Sequence, residues 1–395
     1  MMSPSVPAFP PDSAPALARD GSPEASRPGT SLLSAIGRAF DALVGFATLV
    51  PVLAVVSAVP VLNLLSLGYV LEASGRIART GRFRDGWVGL AGFAAFGKIV
   101  AAIWILSLPV RLVHSFWQDA ELIAPGGPNA VALRVLLVAL ILLLSLHLGW
   151  AILRGGKVRH FLWPAPWRFV KSIGAREGLI RAAVSRLMTG VRSLRLACFF
   201  RLGAFGFAGA ALWLAGPVLV LMVASGIENP GVSFLGSLLG SILLGLVVLY
   251  LPMLQTRFAR IGRFGEFVDL RAVRHSFRKA PLAFSLALTC TLLFALPLYL
   301  LKIELTPDEL AWLPNLVFVL FILPARMILG WALSRAERRE LPRIWVSRWA
   351  ARLAALPVVA AYVFVVWFAQ YLTWHGSLSL LEQHAFLVPA PLLGL

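Results

Sequence analysis

Glu72, His147 and Arg326 stand within or at the edge of apolar stretches, where bulk water does not solvate them. An arginine surrounded by hydrocarbon costs on the order of 2.5 to 3.5 kcal/mol on insertion scales, so it needs a partner, a wet cavity or a route to the interface. Arg326 follows Pro324 in the run from Leu313 to Ser334, and a proline frees backbone groups that are able to line a cavity. One reading makes Arg326 the counter-ion of an anionic substrate. The plainer reading extends its side chain toward lipid phosphates at the nearby helix end. Glu72 closes the first apolar stretch one turn before Arg76, a spacing suited to an ion pair; its functional version is a carboxylate guarding a cavity at a helix break. His147, in the run from Val135 to Leu153, suits a proton relay or a neutral hydrogen bond to a neighbouring helix. These three are the candidate cavity residues, and no catalytic residue is assigned.

A second set of cations sits on a surface. From Ile180 the apolar residues Val184, Leu187, Val191 and Leu194 recur at steps of three and four, with Arg181, Arg186, Arg192 and Arg195 flanking or opposing them. That pattern describes a basic amphipathic helix on the inner leaflet, each base contributing about 1 kcal/mol toward anionic headgroups. A helix that docks a protein partner is the alternative. Lys98 and Arg111 bracket the second apolar run and reach opposite interfaces. Gly203, Gly206 and Gly209, and then Ser233, Gly236, Ser237, Gly240 and Ser241, form faces of small side chains. Such faces let helices approach closely, so the two arms of this hairpin are expected to pack on each other.

Other chemistries lack their residues. Two cysteines, Cys198 and Cys290, make neither a disulfide framework nor a four-cysteine zinc site, and the six histidines are scattered. No metal or cofactor is expected. Phosphate-binding glycine loops, a nucleophile elbow and paired acids for phosphotransfer are absent from the sequence. The formal charge of +18 would suggest nucleic acid in a soluble protein. Here the bases gather between apolar runs, without an aromatic RNA platform or a DNA-binding motif, which points to membrane orientation and to anionic lipid as partner.

The elements that must carry these residues are membrane helices. Of 395 residues, 59% are hydrophobic and 14% charged, against roughly 25% charged in a soluble domain. The first apolar stretch, Ala42 to Leu71, would be about 45 Å long as one helix, more than one perpendicular span of about 30 Å. Pro51 and Pro60 lie within it, so a long helix and a short returning one, turning near Pro60, is the favoured reading. Further runs centre on Ile99 to Val110, Val135 to Leu153, Gly203 to Ser225, Phe234 to Gln255, Leu282 to Leu301, Leu313 to Ser334 and Leu353 to Trp374. They are too long and too uniformly apolar for barrel strands. The expected fold is an all-α polytopic transmembrane bundle of about eight to nine helices, including the Pro-broken first hairpin. Basic loops at 73–98, 154–201, 256–280 and 335–352 are assigned to the cytoplasm by the positive-inside rule. Residues 1–30, rich in Pro and Ser, are expected to be a disordered cytoplasmic tail.

The segment P-V-L-N-L-L-S-L-G-Y-V-L-E from Pro60 to Glu72, followed by R-I-A-R-T-G from Arg76 to Gly81, resembles an uncharacterised family of bacterial polytopic membrane proteins. There a Pro-x-x-Asn turn precedes a Gly-Tyr helix and an arginine-rich exit. The likeness covers the first quarter of the chain, through about Pro109, and the following Phe83, Arg84, Asp85, Gly86 and Trp87 fit its acidic, tryptophan-bearing loop in part. It implies a helix-breaking turn at Pro60 to Asn63 and brings no activity. Together these observations lead us to expect a multi-pass protein of the bacterial inner membrane, non-enzymatic, that passes a small or lipid-like solute. The alternative is a scaffold whose basic loops bind anionic lipid or a protein partner.

Overall fold

The computed structural model describes residues 32–154, 158–165, 167, 181, 185, 188, 195–295 and 312–369, and among these residues there is helix and no strand. The expected tail lies outside the described residues, as do Arg186 and Arg192 of the amphipathic helix. Seven helical stretches are long and apolar enough to cross a membrane, which is the make-up of a multi-pass membrane protein. The expectation of eight to nine spans differs in two places. The returning helix Asn63–Thr80 has only 18 residues and carries Glu72, Arg76 and Arg79, while the described helix Pro281–Leu293 is short.

The chain divides into two compact units, one holding Arg27–Leu49 and Gly89–Arg195, the other Val50–Val88 and Leu196–Leu395. Helix α1, Leu32–Ala58, runs across the division and keeps its helical course through Pro51. In the first unit it is followed by α3 (Leu90–Leu106), α4 (Leu108–Ile123), α5 (Pro128–Leu153) and the single turn α6 (Val158–Leu162). Lys98 does not merely extend to an interface: it pairs with Asp41 of α1. Beside that pair Gly97 leaves no room for a Cβ next to Thr48. Arg154, at the end of α5, donates 2.7 Å hydrogen bonds to the carbonyls of His160 and Trp163 and so folds α6 back.

In the other unit the chain breaks after Ala58 and restarts as α2 at Asn63. Pro60 supplies no amide donor, Val61 takes φ +70°, and Asn63 N–H closes the turn on the Val59 carbonyl at 3.0 Å. The turn therefore falls where the proline placed it. Helices α7 (Leu196–Ser225) and α8 (Pro230–Ile261) form a hairpin whose second arm starts on Pro230 with Asn229 as cap. A 3-10 turn at Phe264–Val268 leads to α9 (Leu270–Lys279), α10 (Pro281–Leu293), α11 (Trp312–Glu337) and α12 (Trp345–Ala369). Much of the expected loops 256–280 and 335–352 is thus helical: Asp269 caps α9 by accepting from Ala272 N–H at 2.9 Å.

The short helix α2 is the axis of this unit. Thirteen of its residues are buried, and it meets α7, α8 and α11 through glycines that let main chains touch. Gly68 faces the carbonyl of Phe199 and Gly203 that of Leu64, with no space for a Cβ at either. Gly75 lies against Ala259 of α8, and Gly330 of α11 against the Ser74 carbonyl. The α7 and α8 arms do pack together, through Gly236 on Ala224 and Gly240 on Leu221. The expected partner of Gly203, Gly206 and Gly209 is corrected, however. These three face Leu64, Leu71 and the Phe267 ring, because α2 and the 3-10 turn occupy that side of α7.

Two of these helices end identically. Arg76-Ile-Ala-Arg-Thr-Gly-Arg-Phe83 on α2 matches Arg257-Phe-Ala-Arg-Ile-Gly-Arg-Phe264 on α8, with Asp85 and Glu266 two positions further on. Gly81 (φ 71°, ψ 11°) and Gly262 (φ 80°, ψ 11°) each cap their helix in the left-handed region, which favours glycine, and each is followed by an extended arginine and a 3-10 turn. The ends lie side by side: Arg338, directly after α11, donates to the Thr80 carbonyl, and Arg260 pairs with Glu337. Helices α2, α8 and α11 therefore run in the same direction toward one arginine-rich end.

Candidate functional site

Glu72 makes the ion pair its spacing predicts, with Arg76 Nε at 2.9 Å, and a second one with Arg79 Nη2 at 3.3 Å. Its side chain is 7% exposed. Arg79 also donates through Nη1 to the carbonyls of Ala259 and Arg260, each at 3.3 Å, so the carboxylate holds an arginine that ties α2 to α8. Arg326 is fully enclosed in the bundle, at 0% exposure, which is incompatible with a side chain extended to the lipid surface. His147, in the other unit, uses Nε2 to donate to the Phe161 carbonyl at 2.7 Å; a carbonyl only accepts, so that nitrogen carries the proton. Arg181 and Arg195 are exposed.

Among the described residues a site with room for a ligand lies elsewhere. A cavity of about 550 Å³ opens among α8, α9, α10, α11 and α12, within the usual size range for small-molecule sites. Leu249, Pro252, Met253, Phe284, Leu288, Leu329, Ala355 and Leu356 make its wall apolar, and Ser285 is a buried polar residue in that wall. At the arginine-rich end the lining is Arg274, Arg278 and Arg352 with Tyr250. No acidic side chain is among the lining residues. Glu72, His147 and Arg326 line neither this cavity nor the groove described next.

Local geometry orients two of the three guanidinium groups. Arg274 Nε donates to Tyr250 Oη at 3.1 Å and stands over the Tyr250 ring at 5.7 Å. Arg352 lies 5.3 Å from the Trp349 ring and 5.9 Å from the Phe277 ring. Such contacts orient a guanidinium without neutralising it. Arg278 is on the last turn of α9, a favourable end for a cation; its carbonyl accepts from Arg343 N–H at 2.8 Å, and Arg339 donates to the Lys279 carbonyl at 3.3 Å. The Arg339 pKa is pushed below its ordinary value by desolvation first, then by the like charges of Arg343 and Arg335.

An apolar groove of about 480 Å³ continues the cavity between α8 and α12. The two share Leu249 and Leu356. Val359 and Gly245 form part of its lining, and it extends past Ala360 and Phe364 to Ser241 and Trp367. Met253 in the cavity wall occupies the position in the second copy of the repeat that Glu72 holds in the first.

Comparison of the chain with protein-family models, with curated proteins and with solved structures finds no match. The chemistry therefore rests on the geometry alone. Sequence reasoning placed Arg274 and Arg278 in a basic loop and missed the cavity, whose lining spans 249 to 356 on five helices. Its only advance signal was Arg274, Phe277 and Arg278 at steps of three and four on one short helix.

Proposed function

We propose that this chain is a multi-pass protein of the bacterial inner membrane that binds an anionic amphiphile from the cytoplasmic side, as a transporter-like protein for a small or lipid-like solute. The site is the arginine-rimmed cavity rather than the trio Glu72, His147 and Arg326. One observation carries this reading: a ligand-sized cavity with an apolar wall has three arginines at its mouth and no acid among its lining residues. Arginine binds phosphate or carboxylate through paired, charge-assisted hydrogen bonds, and the wall accepts apolar atoms that water would exclude. The exposed mouth lets the charged part of a ligand stay wet while its apolar part enters the bundle.

The test is titration of the full chain in a neutral detergent with dihexanoyl phosphatidic acid, followed by tryptophan fluorescence. The variant Arg274→Gln/Arg278→Gln/Arg352→Gln should bind at least about tenfold more weakly, which is about 1.4 kcal/mol. Dihexanoyl phosphatidylcholine should bind the unaltered chain more weakly than the acid. Equal binding of phosphatidic acid by the two proteins rejects the site.

A further inference from the structure

We infer that the natural occupant is a long-chain anionic phospholipid of the cytoplasmic leaflet, its phosphate at Arg274, Arg278 and Arg352 and one acyl chain laid along the groove between α8 and α12. This rests on the function proposed above and adds the ligand class and its route of entry. The cavity and the groove meet at Leu249 and Leu356 and so form one continuous apolar track that begins at the arginines. From Arg352 to Trp367 along α12 the track covers about 22 Å at ~1.5 Å per residue. The hydrocarbon of one leaflet is about 15 Å deep, so a full acyl chain fits.

The chemistry changes along the track in the order that a phospholipid requires. Three cations stand at one end, the middle is apolar, and small residues, Gly245 and Ala360, line the far half. A Cβ on Gly245 would meet Val359 and Val363 at ordinary distances of 3.6 and 3.8 Å. Gly245 is therefore not clamped main chain to main chain, and it lines the groove. Ile242, Leu246, Ala360 and Phe364 are exposed along its sides, so a lipid enters sideways from the bilayer without crossing a polar barrier. A small soluble anion would need the arginines but not the furrow.

The experiment compares dihexanoyl with dipalmitoyl phosphatidic acid, presented to the full chain in neutral-detergent micelles, with bound lipid counted by native mass spectrometry. Gly245→Leu and, independently, Ala360→Trp fill the furrow outside the arginine-lined cavity. Each should weaken dipalmitoyl binding at least about tenfold while dihexanoyl binding stays within about twofold. The triple arginine variant should lose both ligands. Unchanged dipalmitoyl binding in both furrow variants overturns this inference and leaves the proposed function standing. Unchanged binding of both lipids in the arginine variant overturns the two together. If Gly245→Leu fails to fold, Ala360→Trp, on the exposed side of α12, decides the outcome.

Discussion

Replacing Gly75 by alanine tests whether α2 is clamped main chain to main chain. A Cβ at this position would lie 2.6 Å from the Ala259 carbonyl oxygen and 2.8 Å from its carbon. Ordinary contact begins near 3.4 Å, so α2 and α8 would have to separate by about 0.8 Å, and neither carbonyl atom is able to rotate aside as a side-chain tip would. On its other sides α2 is held by α7 at Gly68 and by α11 at Ser74, which leaves it no direction in which to yield. Overpacking of this kind costs about 1 to 3 kcal/mol, and the absence of any flexible atom places Gly75→Ala at the upper end. Alanine returns about 1 kcal/mol of helix propensity, for a net loss of about 2 kcal/mol, or roughly thirtyfold in the folded-to-unfolded ratio. Gly245→Ala on α8 is the control: its Cβ meets Val359 and Val363 at 3.6 and 3.8 Å, so it should be neutral or up to about 1 kcal/mol stabilising. Equilibrium unfolding in mixed micelles of dodecyl maltoside and SDS, read by tryptophan fluorescence, measures both. Equal midpoints for the two variants would refute the clamp.

Glu72→Gln keeps the shape but removes the charge that faces Arg76 and Arg79. In the same titration it should lose about 1.5 to 3 kcal/mol, the worth of a hydrogen bond to a charged group, and no loss would mean that the pair is idle. Asn229→Ala deletes the cap whose Oδ1 accepts from Gly231 N–H at 3.0 Å and Val232 N–H at 3.3 Å. About 1 kcal/mol should go, with hydrogen exchange quickening at Gly231 and Val232 and nowhere near Arg260. His147→Phe removes the 2.7 Å bond to the Phe161 carbonyl. A cysteine introduced at Phe161 should then react faster with a water-soluble maleimide; an unchanged rate would show that α6 is held by other contacts.

The helical class and the turn at Pro60 were legible because each depends on local rules. Long apolar runs leave helix as the only spanning choice, and proline cannot close a helical hydrogen bond. The hairpin turn at Asn229 was legible for the same reason. The central place of α2 was not. Its composition, with Glu72, Arg76 and Arg79 in 18 residues, looks like the edge of a membrane segment, and only its glycines, matched with carbonyls far away in the chain, reveal that it is enclosed. The glycines of α7 had two possible partners, and sequence adjacency favoured the wrong one. The repeated Arg-x-Ala-Arg-x-Gly-Arg-Phe is visible in the letters, and it marks the two left-handed caps, Gly81 and Gly262. The cavity was not legible, because each of its residues is ordinary on its own helix and only tertiary packing brings them together.

The enclosure of α2 has a consequence for biogenesis. Its contacts are with Phe199, Ala259, Gly330 and Arg338, and the last lies 258 residues after Thr80. At about 5 to 20 residues per second a ribosome needs on the order of tens of seconds to deliver that partner. Until then a short segment with three charges must wait with the face that Gly330 and Arg338 will cover still open, although Phe199 and Ala259 have already been made. A nascent chain arrested before Trp312 should therefore leave the Ser74 side of α2, which Gly330 covers in the finished protein, more open to proteases, and quality control has its widest window on this protein in that interval.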